Sequence, residues 1–134
     1  MPLFAPPRKK QNDYGKISRK LLEAVFENAK SAHPNEFAAL LRTNRRGVIA
    51  QYVVLPGTIS SSEAAVFMLH MRPVDFEIIG TIHTHPSPYP LPSGADLALF
   101  ERYGVIHIIV AYPYTMRSWK AYNPYGKEIK LEVV

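Results

Sequence analysis

Apolar positions recur along this 134-residue chain with two periods, and the alternation between them marks out its elements. Between Ile17 and Lys30, Leu21, Leu22, Val25, Phe26 and Ala29 fall at i, i+3 and i+4 spacing, the stripe of an amphipathic helix. Ser18 stands where an N-cap belongs, and His33-Pro34-Asn35 closes the segment. Phe37–Arg42 and Val48–Leu55 are short apolar runs joined by the turn Asn44–Gly47, which predicts a hairpin ended by Pro56-Gly57. Ala64–Met71 mixes helix and strand formers; it is read as a strand because Arg72-Pro73 cuts it short. Phe76–His83 predicts a buried strand. Ser93–Tyr103 predicts a helix capped by Ser93, with Leu97, Leu99 and Phe100 turned inward and Gly104 placed to stop it. Val105–Ala111 is almost wholly apolar, as a central strand is. Arg117–Tyr122 and Glu128–Val133 predict a closing hairpin across Asn123-Pro124-Tyr125-Gly126. The pattern specifies an α/β chain: a mixed sheet of about six strands flanked by two helices. It fits one domain over residues 15–134, with residues 1–14 as an N-terminal tail.

Composition narrows the function classes. The chain is 47% hydrophobic, enough for a globular core. It has no cysteine, which excludes a disulfide scaffold, a thiol nucleophile and a cysteine-based zinc finger. A reducing, cytoplasmic setting fits that composition. No apolar run reaches the length of a membrane span, and the N-terminus lacks the apolar core of a signal peptide. The net charge is +5, but Lys9-Lys10, Arg19-Lys20 and Arg45-Arg46 are scattered pairs without interleaved aromatics. The charge is therefore read as solubility and not as a nucleic-acid surface.

The candidate chemistry is concentrated in His83–Asp96, HTHPSPYPLPSGAD. Side chains two residues apart on a strand share a face, and their α-carbons lie about 6.6 Å apart. Two imidazoles can converge from there on one ion at about 2.0 Å each. A lone His-x-His pair is more often two surface or core histidines. Pro86, Pro88, Pro90 and Pro92 make the next segment a stiff spacer that is neither helix nor central strand. No two of them have the Pro-x-x-Pro spacing of a polyproline ligand. Ser93-x-x-Asp96 is a capping box in sequence terms, yet a helix start also holds a ligand rigidly. Imidazole, imidazole and carboxylate are the ligand types of a catalytic zinc site that keeps one position open for water. Such water has a pKa near 7 and still needs a base that is not a ligand. Glu36 is the favoured candidate among the carboxylates, because it precedes the Phe37 strand and does not sit on an exposed helical face. His33, His70 and His107 are the other histidines. His107, inside an apolar strand, reads as a hydrogen-bonded core residue. Tyr112, Tyr114 and Trp119 read as packing aromatics.

His83-x-His85, seven residues, Ser93, two residues and Asp96, with a glutamate well upstream, resembles the JAMM or MPN-plus metalloprotease motif. The resemblance extends from about Ile17 to Val133 and is closest to small single-domain archaeal members. It implies the MPN, cytidine-deaminase-like α/β fold. It implies one Zn²⁺ per chain held by His83, His85 and Asp96, Glu36 as general acid/base and Ser93 as oxyanion donor. It further implies cleavage after the C-terminus of ubiquitin-like modifiers. Sulfur-carrier processing and a non-catalytic interaction module are the alternatives, and a homodimer remains open. Ala39 stands where many members have glycine, Thr81 and Thr84 flank the first histidine, and the loop lacks the cysteine of some relatives. The ligand set is intact.

Overall fold

The computed structural model describes residues 15–54, 78–102 and 104–134. The predicted N-terminal tail, the Ala64–Met71 strand and His70 lie outside them. In chain order the elements are β1 (Lys16–Ile17), α1 (Arg19–Ala32), β2 (Ala38–Thr43), β3 (Ile49–Val54), β4 (Ile78–His85), α2 (Gly94–Arg102), β5 (Ile106–Ala111), β6 (Trp119–Tyr122), β7 (Glu128–Ile129) and β8 (Glu132–Val133). The strands form one mixed sheet in the order β7-β6-β5-β4-β2-β3-β1-β8.

The first helix starts two residues later than its periodicity suggests. Ile17 joins β1, paired with Ile49, and Ser18 caps α1 by accepting the Leu21 N–H through its hydroxyl. The predicted strand Glu128–Val133 divides in two. Glu128–Ile129 pairs with β6 at one edge of the sheet, and Glu132–Val133 pairs with β1 at the other. Laid flat, eight strands at about 4.8 Å spacing would hold those edges roughly 34 Å apart. Three α-carbon steps reach at most about 11 Å, so the sheet must curl until its edges nearly meet. That division, with β1, accounts for the excess over six strands.

Among the described residues, each face of the sheet carries one helix. Leu21, Leu22, Val25, Phe26 and Ala29 of α1 pack on Ala39 and Leu41 of β2, Ile82 of β4 and Ile108 and Val110 of β5. Leu99 and Phe100 of α2 pack on the other face with Leu40, Ile109 and Tyr122, bordered by Ala38. Leu97, expected inward, is 39% exposed. The β4-α2-β5 unit is a parallel crossover, with Gly80 through His85 registered on Ile106 through Ala111. Its return from helix to sheet is tight. Gly104 adopts φ +77°, and a Cβ there would lie 2.6 Å from the Gly80 Cα. A Cβ on Gly80 would lie 1.6 Å from the Ile106 carbonyl oxygen. Two glycines in contact thus let β5 seat beside β4, and β4 carries the motif.

Candidate metal centre

β4 runs two residues further than its sequence suggests, through both histidines, because β5 pairs with it as far as His85–Ala111. Ile82 belongs to the α1 side, so alternation turns His83 and His85 toward α2. Their ring centroids are 5.1 Å apart. The proline segment then leads to the start of α2, where Ser93 and Asp96 bond reciprocally. The Asp96 N–H donates to Ser93 Oγ at 3.1 Å, and the Ser93 N–H donates to Asp96 Oδ2 at 2.8 Å. The capping box is therefore real, and it aims the Asp96 carboxylate at the histidines.

The two carboxylate oxygens of Asp96 face different imidazoles. Oδ1 lies 3.1 Å from His83 Nε2, and Oδ2 lies 3.2 Å from His85 Nε2. One ligand atom from each of the three residues can be chosen so that all lie within 4.8 Å of one another. Ligands each about 2 Å from one tetrahedral ion have separations like the two His–Asp distances. The His83 contact is at ion-pair distance but lacks hydrogen-bond alignment, so among the described residues both ring nitrogens of this buried residue are without a hydrogen-bond partner. An orphaned buried imidazole beside a buried carboxylate fits a cation-binding role. His85 is oriented from behind: its Nδ1 lies 3.2 Å from the Tyr89 carbonyl. An N–H donated there leaves Nε2 to face Asp96, as a backbone carbonyl behind the ring commonly orients metal-binding histidines.

The electrostatics agree. Burial pushes the Asp96 carboxyl up, but its contacts with His83 and His85 outweigh burial and hold it well below the usual carboxylate range. The hydrogen bond to Asp96 raises the His85 imidazole; burial opposes this, while the Tyr89 carbonyl and the charges of Asp96 and Glu36 reinforce it. The site thus holds a buried carboxylate that stays ionised and attracts positive charge.

The influence of Glu36 on His85 places it within electrostatic reach of the site. The register explains why. β2 and β4 are antiparallel with Ala38 opposite His83, and the Thr84 N–H donates to the Phe37 carbonyl at 2.9 Å. Glu36 precedes Phe37, just outside the paired part of β2, at the end of the ladder where His85 closes β4. Glu36 is exposed.

His107 is a core residue, as its apolar strand predicts. It is fully buried, with Nδ1 2.7 Å from the Thr81 hydroxyl and the Phe100 ring stacked on it at 4.4 Å. Burial, then the positive charge of His83, pushes its imidazole down to about 3, so it is neutral. His33 is exposed but engaged, 2.7 Å from the Tyr114 hydroxyl and stacked on Tyr112. Tyr114 is buried in the α1-side core and Trp119 packs against it. Sequence reasoning missed the Tyr89 carbonyl and Tyr122, whose hydroxyl donates to the Pro90 carbonyl and anchors the proline segment. The alternating prolines were the available signal: a segment that cannot pair as strand still presents carbonyls.

A mixed sheet between two helices, with His-x-His ending a central strand and an aspartate in the first turn of the crossover helix, defines a JAMM/MPN domain. Residues 18–122 match the family described as prokaryotic homologs of the JAB domain, and the chain belongs to that family. It is 34% identical over 127 residues to a probable metalloprotease of Haloferax volcanii, covering 88% of this chain and 78% of that protein. A JAB1/MPN domain protein from Archaeoglobus fulgidus, known from a crystal structure, is similar at 46% identity and TM-score 0.73, over 89% of this chain and 98% of the other. A second solved chain, described as a JAMM metalloprotease-like zinc site in the proteasome and signalosome, is similar at 45% identity and TM-score 0.70, over 89% and 96%. No helix among the described residues is long and apolar enough to cross a membrane.

Proposed function

We propose that this protein is a zinc metallo-isopeptidase that hydrolyses the bond after the C-terminus of ubiquitin-like modifier proteins. The observation that carries the reading is the His83–His85–Asp96 group, in which His83 and Asp96 are buried and the His83 ring has no hydrogen-bond partner among the described residues. Similarity to a probable metalloprotease and to a JAMM zinc-site protein supports it.

His83, His85 and Asp96 would hold the metal. When bound, zinc supplies Lewis acidity and lowers the pKa of water to about 7. Asp96 stays ionised and, tied to the Ser93 N–H, keeps one orientation. His85 donates from Nδ1 to the Tyr89 carbonyl and so keeps Nε2 free as a ligand atom. The Glu36 carboxylate takes the proton from the attacking water and passes it to the departing lysine amine. The Ser93 hydroxyl oxygen accepts from the Asp96 N–H, which leaves the hydroxyl proton to donate to the developing oxyanion. The extended tail of a modifier would approach along a strand edge beside this face. A reducing, cytoplasmic setting accords with the absence of cysteine.

Metal content by elemental analysis, together with cleavage of a modifier–lysine conjugate, tests the reading in wild type and Glu36→Ala. The variant is expected to keep one zinc and lose nearly all turnover. Substantial residual turnover in Glu36→Ala would remove Glu36 as the base. Bound zinc in wild type without cleavage of any conjugate would leave a non-catalytic interaction module. Cleavage confined to sulfur-carrier conjugates would redirect the substrate assignment.

A further inference from the structure

The β2–β4 ladder is regular from Ala38–His83 through Leu41–Gly80 and changes character one pair beyond, at Phe37–Thr84. A hydrogen-bonded antiparallel pair exchanges two backbone bonds. Here only one is of that kind, from the Thr84 N–H to the Phe37 carbonyl at 2.9 Å. The reciprocal Phe37 N–H donates instead to the Thr84 side chain, 2.8 Å from Oγ1. The same hydroxyl reaches the Phe37 carbonyl at 3.5 Å, the long limit of a hydrogen bond. Thr84 is 1% exposed, so this contact is sheltered from water.

The position of that bond matters. The Phe37 nitrogen belongs to the peptide that follows Glu36, so its direction sets where the Glu36 side chain leaves the backbone. The peptide is turned out of the ladder and tied to a β-branched residue whose χ1 is stiff. Thr84 lies between His83 and His85 but points to the opposite, α1 face. A single side chain behind the sheet therefore links the strand bearing two ligand residues to the backbone bearing Glu36.

We propose that Thr84 is a positioning residue that holds the Glu36 carboxylate at its working place through the Phe37 amide. The proposal rests on the reading of Glu36 as the base. Thr84→Val keeps the shape and removes the acceptor; Thr84→Ser keeps the acceptor.

The test combines three readouts on the full chain: zinc content, steady-state cleavage of a modifier–lysine conjugate, and amide hydrogen exchange in the metal-free protein. Thr84→Val is expected to retain one zinc and its KM while kcat falls on the order of 100-fold, the scale of a misplaced catalytic group. Its Phe37 amide should exchange on the order of tenfold faster, about the worth of one buried hydrogen bond, with the Leu41 amide unchanged. Thr84→Ser should restore both. Wild-type kcat in Thr84→Val, or a Thr84→Ser as slow as Thr84→Val, overturns the proposal. So does an unprotected Phe37 amide in the wild type, a measurement that stands even where Thr84→Val does not fold. Glu36→Gln separates the two levels. If it is inactive while Thr84→Val is normal, only the positioning role falls; if it is active, the base assignment falls and the positioning role with it.

Discussion

Ser93 caps α2, the proposed function gives it a second, chemical role, and a pair of substitutions separates the two. Its Oγ accepts the Asp96 N–H at 3.1 Å as the cap of α2, and its hydroxyl proton remains to stabilise an oxyanion. Ser93→Ala removes both and should cost about 1 kcal/mol of stability, the usual worth of a serine cap. For a domain of this size that lowers Tm by roughly 4 °C. Ser93→Gly removes the hydroxyl but costs only a few tenths of a kcal/mol, because glycine is tolerated at an N-cap. The Ser93 N–H bond to Asp96 Oδ2 is made by the backbone, so both variants should still hold Asp96 and its metal. Losing one oxyanion donor costs about 2.7–4 kcal/mol in the barrier, or on the order of 10²–10³ in kcat. Ser93→Gly should therefore melt close to wild type yet be as slow as Ser93→Ala. Differential scanning calorimetry, zinc content and steady-state cleavage of a modifier–lysine conjugate measure all three quantities. A Ser93→Gly protein with wild-type kcat would refute the oxyanion role and leave Ser93 a cap alone.

Asp96→Ala should abolish zinc binding, since it removes a ligand and leaves His83 and His85 with no anion between them; isothermal titration with zinc checks this, and tight binding would contradict it. Chelation of the wild type should lower Tm in proportion to the binding energy lost, whereas Asp96→Ala should show no chelator effect. Gly80→Ala should not give a stable fold, because its Cβ would sit 1.6 Å from the Ile106 carbonyl oxygen, and displacing that backbone separates β4 from β5; a stable variant by urea titration would show the crossover to be looser than it is here. His107 gives the pH dependence. Its folded value of about 3 lies below its ordinary 6.5, so the unfolded chain binds the proton first. Stability is lost as pH falls from 6.5 toward 3, by up to about 5 kcal/mol. In the metal-free protein the raised His85 acts oppositely, adding stability below its ordinary value that is lost as pH rises through its folded one. Metal-free His107→Leu should therefore lose less stability between pH 6.5 and 4 than metal-free wild type in urea titrations; parallel curves would refute the buried neutral state.

Much of the fold is legible in the sequence. The stripe Leu21-Leu22-Val25-Phe26-Ala29, the Ser18 cap, the turn at Asn44–Gly47 and the stop at Gly104 are short-range signals, and each appears within a residue or two of its expected place. Two-residue strands are different. Lys16–Ile17 and Glu128–Ile129 are too short to show a period, and only pairing with distant partners defines them. The run from Glu128 to Val133 reads as one strand because nothing local marks its transfer from one sheet edge to the other. Leu97 misleads as well: its spacing suits an inner face, but α2 meets the sheet through Leu99 and Phe100 and leaves Leu97 39% exposed.

The sequence by itself determined the helix stripes, the caps and the ligand types of His83, His85 and Asp96, because these depend on neighbours within one turn or one strand. It also set the stiffness of the proline spacer, which needs no partner. The tertiary structure decided what those residues meet. Phe37 and Thr84 are 47 positions apart, and only the β2–β4 register ties the peptide that follows Glu36 to the strand carrying His83 and His85. The alternation of side chains turns the histidines to one face and Thr84 to the other. That register is a non-local property, fixed by burial on both faces of the sheet, where a slip of one residue would exchange core for site.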